Sequence, residues 1–268
     1  MNRPKVYKTE AIVLQHMILG EADRIVTLYT PDLGKIRAVA KGIRRPSSKM
    51  VGHLEVLSHT SLLIARGRNL DIITQAHLIN PFTKLRDDLS ILFRGCYLAE
   101  LVNDFTPDEE GNLAVYNLLI NTMSWLQESS GSEILLRYFE THLLSELGYR
   151  PHVQTCVTCQ RSLSPQDHNF SLRDGGVLCP SCSHGQKDLE RISLTALKVL
   201  RYLLDNSYPQ CLRLRVENTV SEELDRLMAR YIRYHLDGEV RSAGFLKRLD
   251  SWKSKEHQRL RKSLEGVF

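Results

Sequence analysis

No apolar run in these 268 residues approaches the ~20 needed to span a bilayer, and the opening MNRPKVYKTE lacks the apolar centre of a secretion signal. The expectation is a cytoplasmic chain with no membrane partner. Disulfides are rare in such a reducing compartment, so six cysteines lean towards metal or redox chemistry. Also missing are G-x-x-x-x-G-K-[ST] and G-x-G-x-x-G, the usual phosphate cradles of ATP hydrolysis and dinucleotide chemistry. Aromatic residues are sparse early on, with Tyr7 and Tyr29 the only rings before Phe82. Acids are missing too: no Asp or Glu occurs from Gly34 through Leu54. There is no internal repeat, and no low-complexity tract other than a charged tail from Lys247 onward.

What is present is ordinary globular material, 42% hydrophobic and 25% charged, long enough for two domains or one large one without staples. The net charge of +5 conceals a segregation: residues 1–80 carry +6, residues 81–150 carry −6 and residues 151–268 carry +5. Such asymmetry points to a polyanion meeting the two ends of the chain, with the middle solvated or facing a basic protein.

Between Tyr7 and Ile79, turn signals divide five β-rich runs, near 8–19, 23–30, 34–43, 54–66 and 70–79. Five strands in about 75 residues predict a small closed barrel, of OB-fold or SH3-like type. After Pro81 the period becomes helical. Leu85, Leu89, Leu92, Phe93, Cys96, Tyr97, Glu100 and Leu101 follow i, i+3/i+4 spacing, and residues 112–126 and 131–147 continue in that style. The acidic loop from Thr106 to Gly111 reads as a solvated face whose charges favour the next helix's N-terminus. Helical pattern resumes at 193–206 and at 221–236, where Leu224, Leu227, Met228, Tyr231, Ile232 and His235 share a core stripe opposite Arg226, Arg230 and Arg233. The expected fold class is therefore α+β and multidomain. It divides into a barrel (1–80), a first helical part (81–150), a cysteine insert (151–190) and a second helical part with a basic tail (191–268).

In the insert, Cys156 and Cys159 form one C-x2-C knuckle, and after 19 residues Cys179 and Cys182 form another. Two such knuckles match zinc-ribbon spacing, and four thiolates close a tetrahedron, leaving no position for water or substrate. One structural Zn2+ is the reading, with the ion replacing a missing local core. His152, His168 and His184 read as surface residues rather than spare ligands, and Cys96 and Cys211 as small core residues. His53-Leu54-Glu55 matches half of the zinc-deaminase signature, but Cys179-Pro180-Ser181-Cys182 carries its proline inside the knuckle, so the second half is absent. A zinc-dependent hydrolase or deaminase, or an RNA-binding zinc-ribbon protein, are the alternatives to a DNA-binding reading.

That DNA-binding reading rests on the third run. Alternation places Ile36, Ala38 and Ala40 on one side and Lys35, Arg37 and Lys41 on the other, and the chain continues into Arg44, Arg45 and Lys49. Six cations in fifteen residues, with no local acid, suit a wall that follows phosphates with strong salt dependence. Arg66 and Arg68 are weaker candidates. The tail from Arg241 to Lys262, around Trp252, is either a second nucleic-acid contact or a frayed end.

The run Gly20-Glu21-Ala22-Asp23-Arg24-Ile25-Val26-Thr27-Leu28-Tyr29-Thr30, followed by Gly34-Lys35-Ile36 and by Ala38 through Arg45, resembles the N-terminal signature of the RecO family, bacterial recombination mediators of DNA repair. The order of barrel, helices, cysteine insert and helices extends the similarity over nearly the whole chain. The resemblance implies an OB-fold and a non-enzymatic mediator, nucleoid-associated, that binds single- and double-stranded DNA and anneals complementary strands. It would act with RecR and single-stranded-DNA-binding protein to load RecA. It also implies DNA contacts at Lys35, Arg37, Lys41, Arg44 and Arg45, and zinc ligands at Cys156, Cys159, Cys179 and Cys182. Some family members lack the cysteines, so the metal is not implied to be the functional centre.

Overall fold

The computed structural model describes residues 5–128, 133–236 and 238–246. Five strands, β1 (Val6–Leu19), β2 (Asp23–Thr30), β3 (Gly34–Ala40), β4 (His59–Ala65) and β5 (Asp71–Asn80), close into a barrel in the order β1-β2-β3-β5-β4. Closure comes from a short parallel pairing of β3 with β5, the remaining neighbours being antiparallel. This OB-like arrangement decides between the two barrel types that periodicity left open. The interior is filled by Ala11, Val13, Val26, Leu28, Ile36, Ala38, Leu62, Ile64 and their neighbours.

Alternation breaks down in β1 and β2 because both faces are covered. Ala11, Ile12, Val13 and Leu14 are all buried, as are all residues from Val26 to Thr30. Ile12, Leu14 and Tyr29 face outward from the barrel into the core of the helical part. That core is built on α1 (Leu89–Phe105), α2 (Leu113–Glu128) and α3 (Glu133–Glu146). Asp88 caps α1 by accepting from the Ser90 N–H, and the Asn112 side chain accepts from Val115 N–H at the start of α2. The side-chain acceptor at the start of α2 is thus a neutral amide, with the acids of the preceding loop upstream of it.

The insert contains a small sheet that the sequence reading did not foresee: β6 (His168–Ser171) between β7 (Gly176–Leu178) and β8 (Leu189–Ile192), with a four-residue α4 (Pro180–Ser183) carrying Cys182. Strands of three or four residues are too short to show a period. Phe170, Leu172, Val177 and Ile192 enter the same core as the helices, so the insert does not lack apolar anchorage. Gly175 turns the β6–β7 hairpin at φ +65°, and a Cβ there would press on the Tyr231 hydroxyl. The chain continues through α5 (Leu194–Asp205), a short α6 (Tyr208–Cys211) and α7 (Asn218–Leu236). Leu224, Leu227, Met228, Tyr231 and Ile232 of α7 are buried as the stripe predicts. No helix among the described residues is long and apolar enough to cross a membrane.

A buried polar chain ties α1, α3 and α7 together. Tyr97 donates to Glu140 Oε1 at 2.7 Å, Arg137 donates to the same oxygen at 2.7 Å, and Arg137 also reaches Asp225 at 2.9 Å. Burial pushes the Glu140 carboxyl up to about 7, against the pull of Arg137. Removing one member of a buried ion pair strands the other. Arg137→Ala is therefore expected to cost about 3–5 kcal/mol in urea unfolding, far more than truncating an exposed arginine. A loss below about 1 kcal/mol would show that the network is not holding the three helices.

Candidate nucleic-acid interface and metal centre

Strand β3 brings the expected basic wall together, but the helical half divides it. Lys35 is buried, at 8% exposure, and not offered to solvent. Its ammonium donates to the Asn103 carbonyl at 2.6 Å and pairs with Asp108 at 3.2 Å, while the guanidinium of the exposed Arg37 reaches the other Asp108 oxygen at 3.2 Å. The expectation of an uncancelled cationic face at Lys35 and Arg37 is therefore corrected. The cancelling carboxylate comes from a loop some seventy residues away in sequence, which a count of neighbouring acids cannot see.

That loop docks on the barrel as an extra edge. Lys35 and Asp108 form an isolated parallel bridge, and the Glu109 N–H donates to the Lys35 carbonyl at 2.8 Å. Gly34, at φ +60°, lies so close to the Glu110 carbonyl that a Cβ would collide with it. The acidic stretch read as solvated is thus in part a barrel contact.

Past the end of β3 the picture reverses. Lys41, Arg44, Arg45 and Lys49 are exposed and form no ion pair with a described carboxylate. Asp23, the nearest acid in the pairing register, accepts from the Gly42 N–H at 2.7 Å and so helps to shape this loop. The Arg44 N–H donates to the Ala22 carbonyl at 2.9 Å and its guanidinium to the Gly20 carbonyl at 3.3 Å, which fixes the loop against the β1–β2 turn. Arg24 joins the group from β2, opposite both Ile18 and Ala40 across the sheet. Its guanidinium donates to His16 Nδ1 at 3.2 Å. Burial lowers the His16 pKa and keeps that ring a neutral acceptor. Sequence reading quoted Arg24 without assigning it to the patch, because only strand pairing reveals that it belongs there. Arg66 is committed to Asp71 at 3.3 Å and lies over the Tyr7 ring.

The four cysteines converge as their spacing predicts. The sulfurs of Cys156, Cys159, Cys179 and Cys182 all lie within 4.8 Å of one another, the one such cluster of three or more ligating residues among the described residues. The first knuckle closes through the Gln160 N–H, which donates to the Cys156 carbonyl at 2.9 Å. The second runs into α4. Burial alone would raise the Cys156 pKa. Backbone N–H groups of Cys159, Cys179 and Thr158 outweigh it and bring the thiol down to about 6, the Cys179 N–H donating to its sulfur at 3.3 Å. Hydrogen bonding to the neighbouring sulfurs pushes Cys182 up to about 12, Cys179 contributing most. The cluster can hold a metal ion.

The histidines separate as follows. His152 pairs with Thr155 at 2.8 Å and His184 is exposed, but His168 is buried in β6 with its ring on the Ser164 carbonyl at 2.8 Å, not at the surface as expected. His53 accepts from the Leu78 N–H at 3.3 Å within the barrel, apart from the cysteine cluster. Cys211 is fully buried and Cys96 half-buried. Of the C-terminal cations, Arg241 packs on Glu100, and those from Lys247 to Lys262, with Trp252, lie outside the described residues.

Comparison with known proteins gives consistent matches over both halves. Residues 1–82 match the family model for the recombination protein O N terminal, and residues 86–243 that for its C terminal. Among relatives, the DNA repair protein RecO of Roseiflexus is 38% identical over 91% of this chain and 86% of its own length. The RecO proteins of Dehalococcoides mccartyi and Symbiobacterium thermophilum are 36% and 34% identical, covering 90% and 92% of this chain and 95% and 98% of theirs.

The geometry at Lys35 generates a direct test. Because its ammonium bridges the barrel to the Asn103 carbonyl and Asp108, Lys35→Ala should lower unfolding stability by about 1–3 kcal/mol, as expected for a charged hydrogen bond lost at a seam. Lys41→Ala should leave it within about 0.5 kcal/mol. Equal losses in paired urea titrations would contradict the division drawn between the two lysines.

Proposed function

The chain belongs to the RecO family of DNA repair proteins, and we propose that it is a non-enzymatic mediator that binds single- and double-stranded DNA through the open end of its barrel. The observation that carries this reading is the group of exposed cations Lys41, Arg44 and Arg45, with Arg24 and Lys49 beside them, none paired with a described carboxylate. Lys41, Arg44 and Arg45 are the proposed phosphate contacts. Arg37 stands at the margin, half-committed to Asp108, and Lys35 serves to seat the helical half. Such a surface neutralises phosphates and lets two strands approach, which is what annealing requires. With no nucleotide cradle in the sequence, work on DNA can come only from differential affinity for its states and from partners. RecR, single-stranded-DNA-binding protein and the RecA pathway are the partners proposed, and the cytoplasm near the nucleoid is the proposed location.

One structural Zn2+ is the proposed occupant of the four-cysteine cluster. A tetrahedron of Zn–S bonds of about 2.3 Å has edges of about 3.8 Å, and Cys159 and Cys179 already lie at 3.8 Å, sulfur to sulfur. When bound, the ion supplies a cross-link between the two knuckles. Four sulfurs complete its shell, which counts against the hydrolase and deaminase alternatives because those need an open position.

Replacing Lys41, Arg44 and Arg45 together by Ala should reduce the slope of log affinity for single-stranded DNA against log salt by about 2, at about 0.7 per phosphate contact. Complementary-strand annealing, followed by fluorescence, should slow in parallel, and DNA should outcompete RNA at matched salt. An unchanged slope, or a clear RNA preference, would overturn the reading. Cys156→Ser should abolish stoichiometric zinc measured by atomic emission and lower the melting temperature. It should leave the salt slope intact, because the metal and the DNA face lie on different parts of the chain.

A further inference from the structure

The barrel supplies cations for phosphates, but neither of its tyrosines offers a free face to bases. Tyr29 is fully buried, and Tyr7 is engaged with its hydroxyl on Asp71 and its face under Arg66. Apolar surface appears instead at the end of the β1–β2 hairpin, where Met17, Ile18 and Leu19 are exposed by 56%, 65% and 39%. Three consecutive exposed apolar side chains contribute nothing to a barrel core and raise the hazard of association, so their presence asks for an occupant.

Their position names the occupant. Ile18 lies opposite Arg24, and Arg24 opposite Ala40, so the tip and the start of the cationic loop share one end of the barrel, with Ile18 on the face of Arg24 and Met17 and Leu19 on the other face of the hairpin. Arg44 donates from its backbone to Ala22 and from its guanidinium to Gly20, tying the tip to Lys41, Arg44 and Arg45 as one unit. An apolar prow flanked by Lys41, Arg44 and Arg45, whose positive charge outweighs the one exposed acid of the turn, Glu21, fits a ligand that is anionic along its backbone and has flat apolar faces between the charges. Unstacked bases of single-stranded DNA have that chemistry, and proteins use Met, Ile and Leu as wedges against base steps.

We propose that Met17, Ile18 and Leu19 form a base-contacting wedge. They pack on the faces of unstacked bases while Lys41, Arg44 and Arg45 hold the flanking phosphates. The inference rests on the DNA-binding reading above and adds to it a salt-independent component that holds bases apart from their own neighbours. Unstacked, separated bases are the form in which a strand can meet its complement.

The test uses the full chain and a single-stranded oligonucleotide carrying 2-aminopurine, titrated across a salt series. Wild type should raise the probe's fluorescence on binding, as unstacking does. The Met17→Ser, Ile18→Ser, Leu19→Ser variant should bind about tenfold more weakly at every salt concentration. Its salt slope should match wild type, and the fluorescence rise should be lost. Ile18→Trp retains an apolar tip and should tighten binding, with its added emission quenched by DNA. Wild-type affinity and fluorescence in the serine variant, or unquenched emission from Ile18→Trp, would overturn the wedge. So would a serine variant that binds DNA normally but loses self-association in sedimentation or adhesion to anionic vesicles. If wild type itself fails to bind DNA, the broader reading falls with it, and the two failures are told apart by that control.

Discussion

The outer face of β1 and β2 is apolar, and an apolar sheet face must be covered. Ile12, Leu14 and Tyr29 are buried in the helical core, so one side of the barrel is closed for good. Much else follows from that cover. The loop leaving α1 is delivered to the start of β3, where Asp108 meets Lys35 and Arg37 and the Glu109 N–H pairs with the Lys35 carbonyl. The helical half thus consumes the first two cations of the basic run as seam contacts. The cations beyond Ala40 lie past the reach of that loop and stay available. A single strand of positive charge is divided by packing into a structural part and a part free for a ligand.

The limits of reading the chain in one dimension fall at the same place. Strand and helix periods were legible wherever an element had one solvated face: β5, α5 and α7 appear within about three residues of their expected ends. The fourth run was expected from residue 54, but β4 begins at His59, because Val51–His53 forms a 3-10 turn and Leu57 takes φ +70° before the strand can start. The choice between OB-fold and SH3-like barrels was not legible, since it depends on the β3–β5 pairing, a long-range contact with no local signature. Lys35 shows the same limit at the site. Its alternation was read correctly as opposite to Ile36, but which outward face meets solvent is decided by a segment some seventy residues later.

The cysteine insert shows the converse. Spacing alone brought the four sulfurs together correctly, since C-x2-C is a local geometric device. Its surroundings were misjudged as lacking a core, because Phe170, Leu172 and Val177 are too few and too scattered to show a pattern, yet the sheet carries them into the helical core. The insert therefore has an apolar anchor as well as a site for a second one of a different kind. Apolar side chains hold the sheet to α7, with Gly175 close under Tyr231, while the four sulfurs of the two knuckles converge where a bound ion would cross-link them.

The free cations gain their significance from lying close together, with Lys41, Arg44, Arg45 and Lys49 following one another along a single loop. Arg137 is satisfied by Glu140 and Asp225, Arg150 by Asp205, Arg191 by Asp167, and Arg226 and Arg230 by Glu190. Those arginines meet acids within the fold, but Lys198, Arg213 and Arg215 of the helical part are exposed and form no ion pair with a described carboxylate, so what sets the barrel end apart is the crowding of its cations along one loop. At the barrel end Asp23 is turned to a backbone N–H, Glu21 is exposed in the same turn without an ion pair to a described cation, and Arg24 rests on a neutral imidazole that cannot cancel its charge. An exposed cluster of like charge is held together at a cost in repulsion, which an approaching polyanion relieves. The same edge carries exposed apolar side chains, which by themselves favour any apolar partner. Together, the repulsion that discourages self-association and the attraction that selects anions narrow the fitting ligands to those that combine negative charge with flat apolar faces.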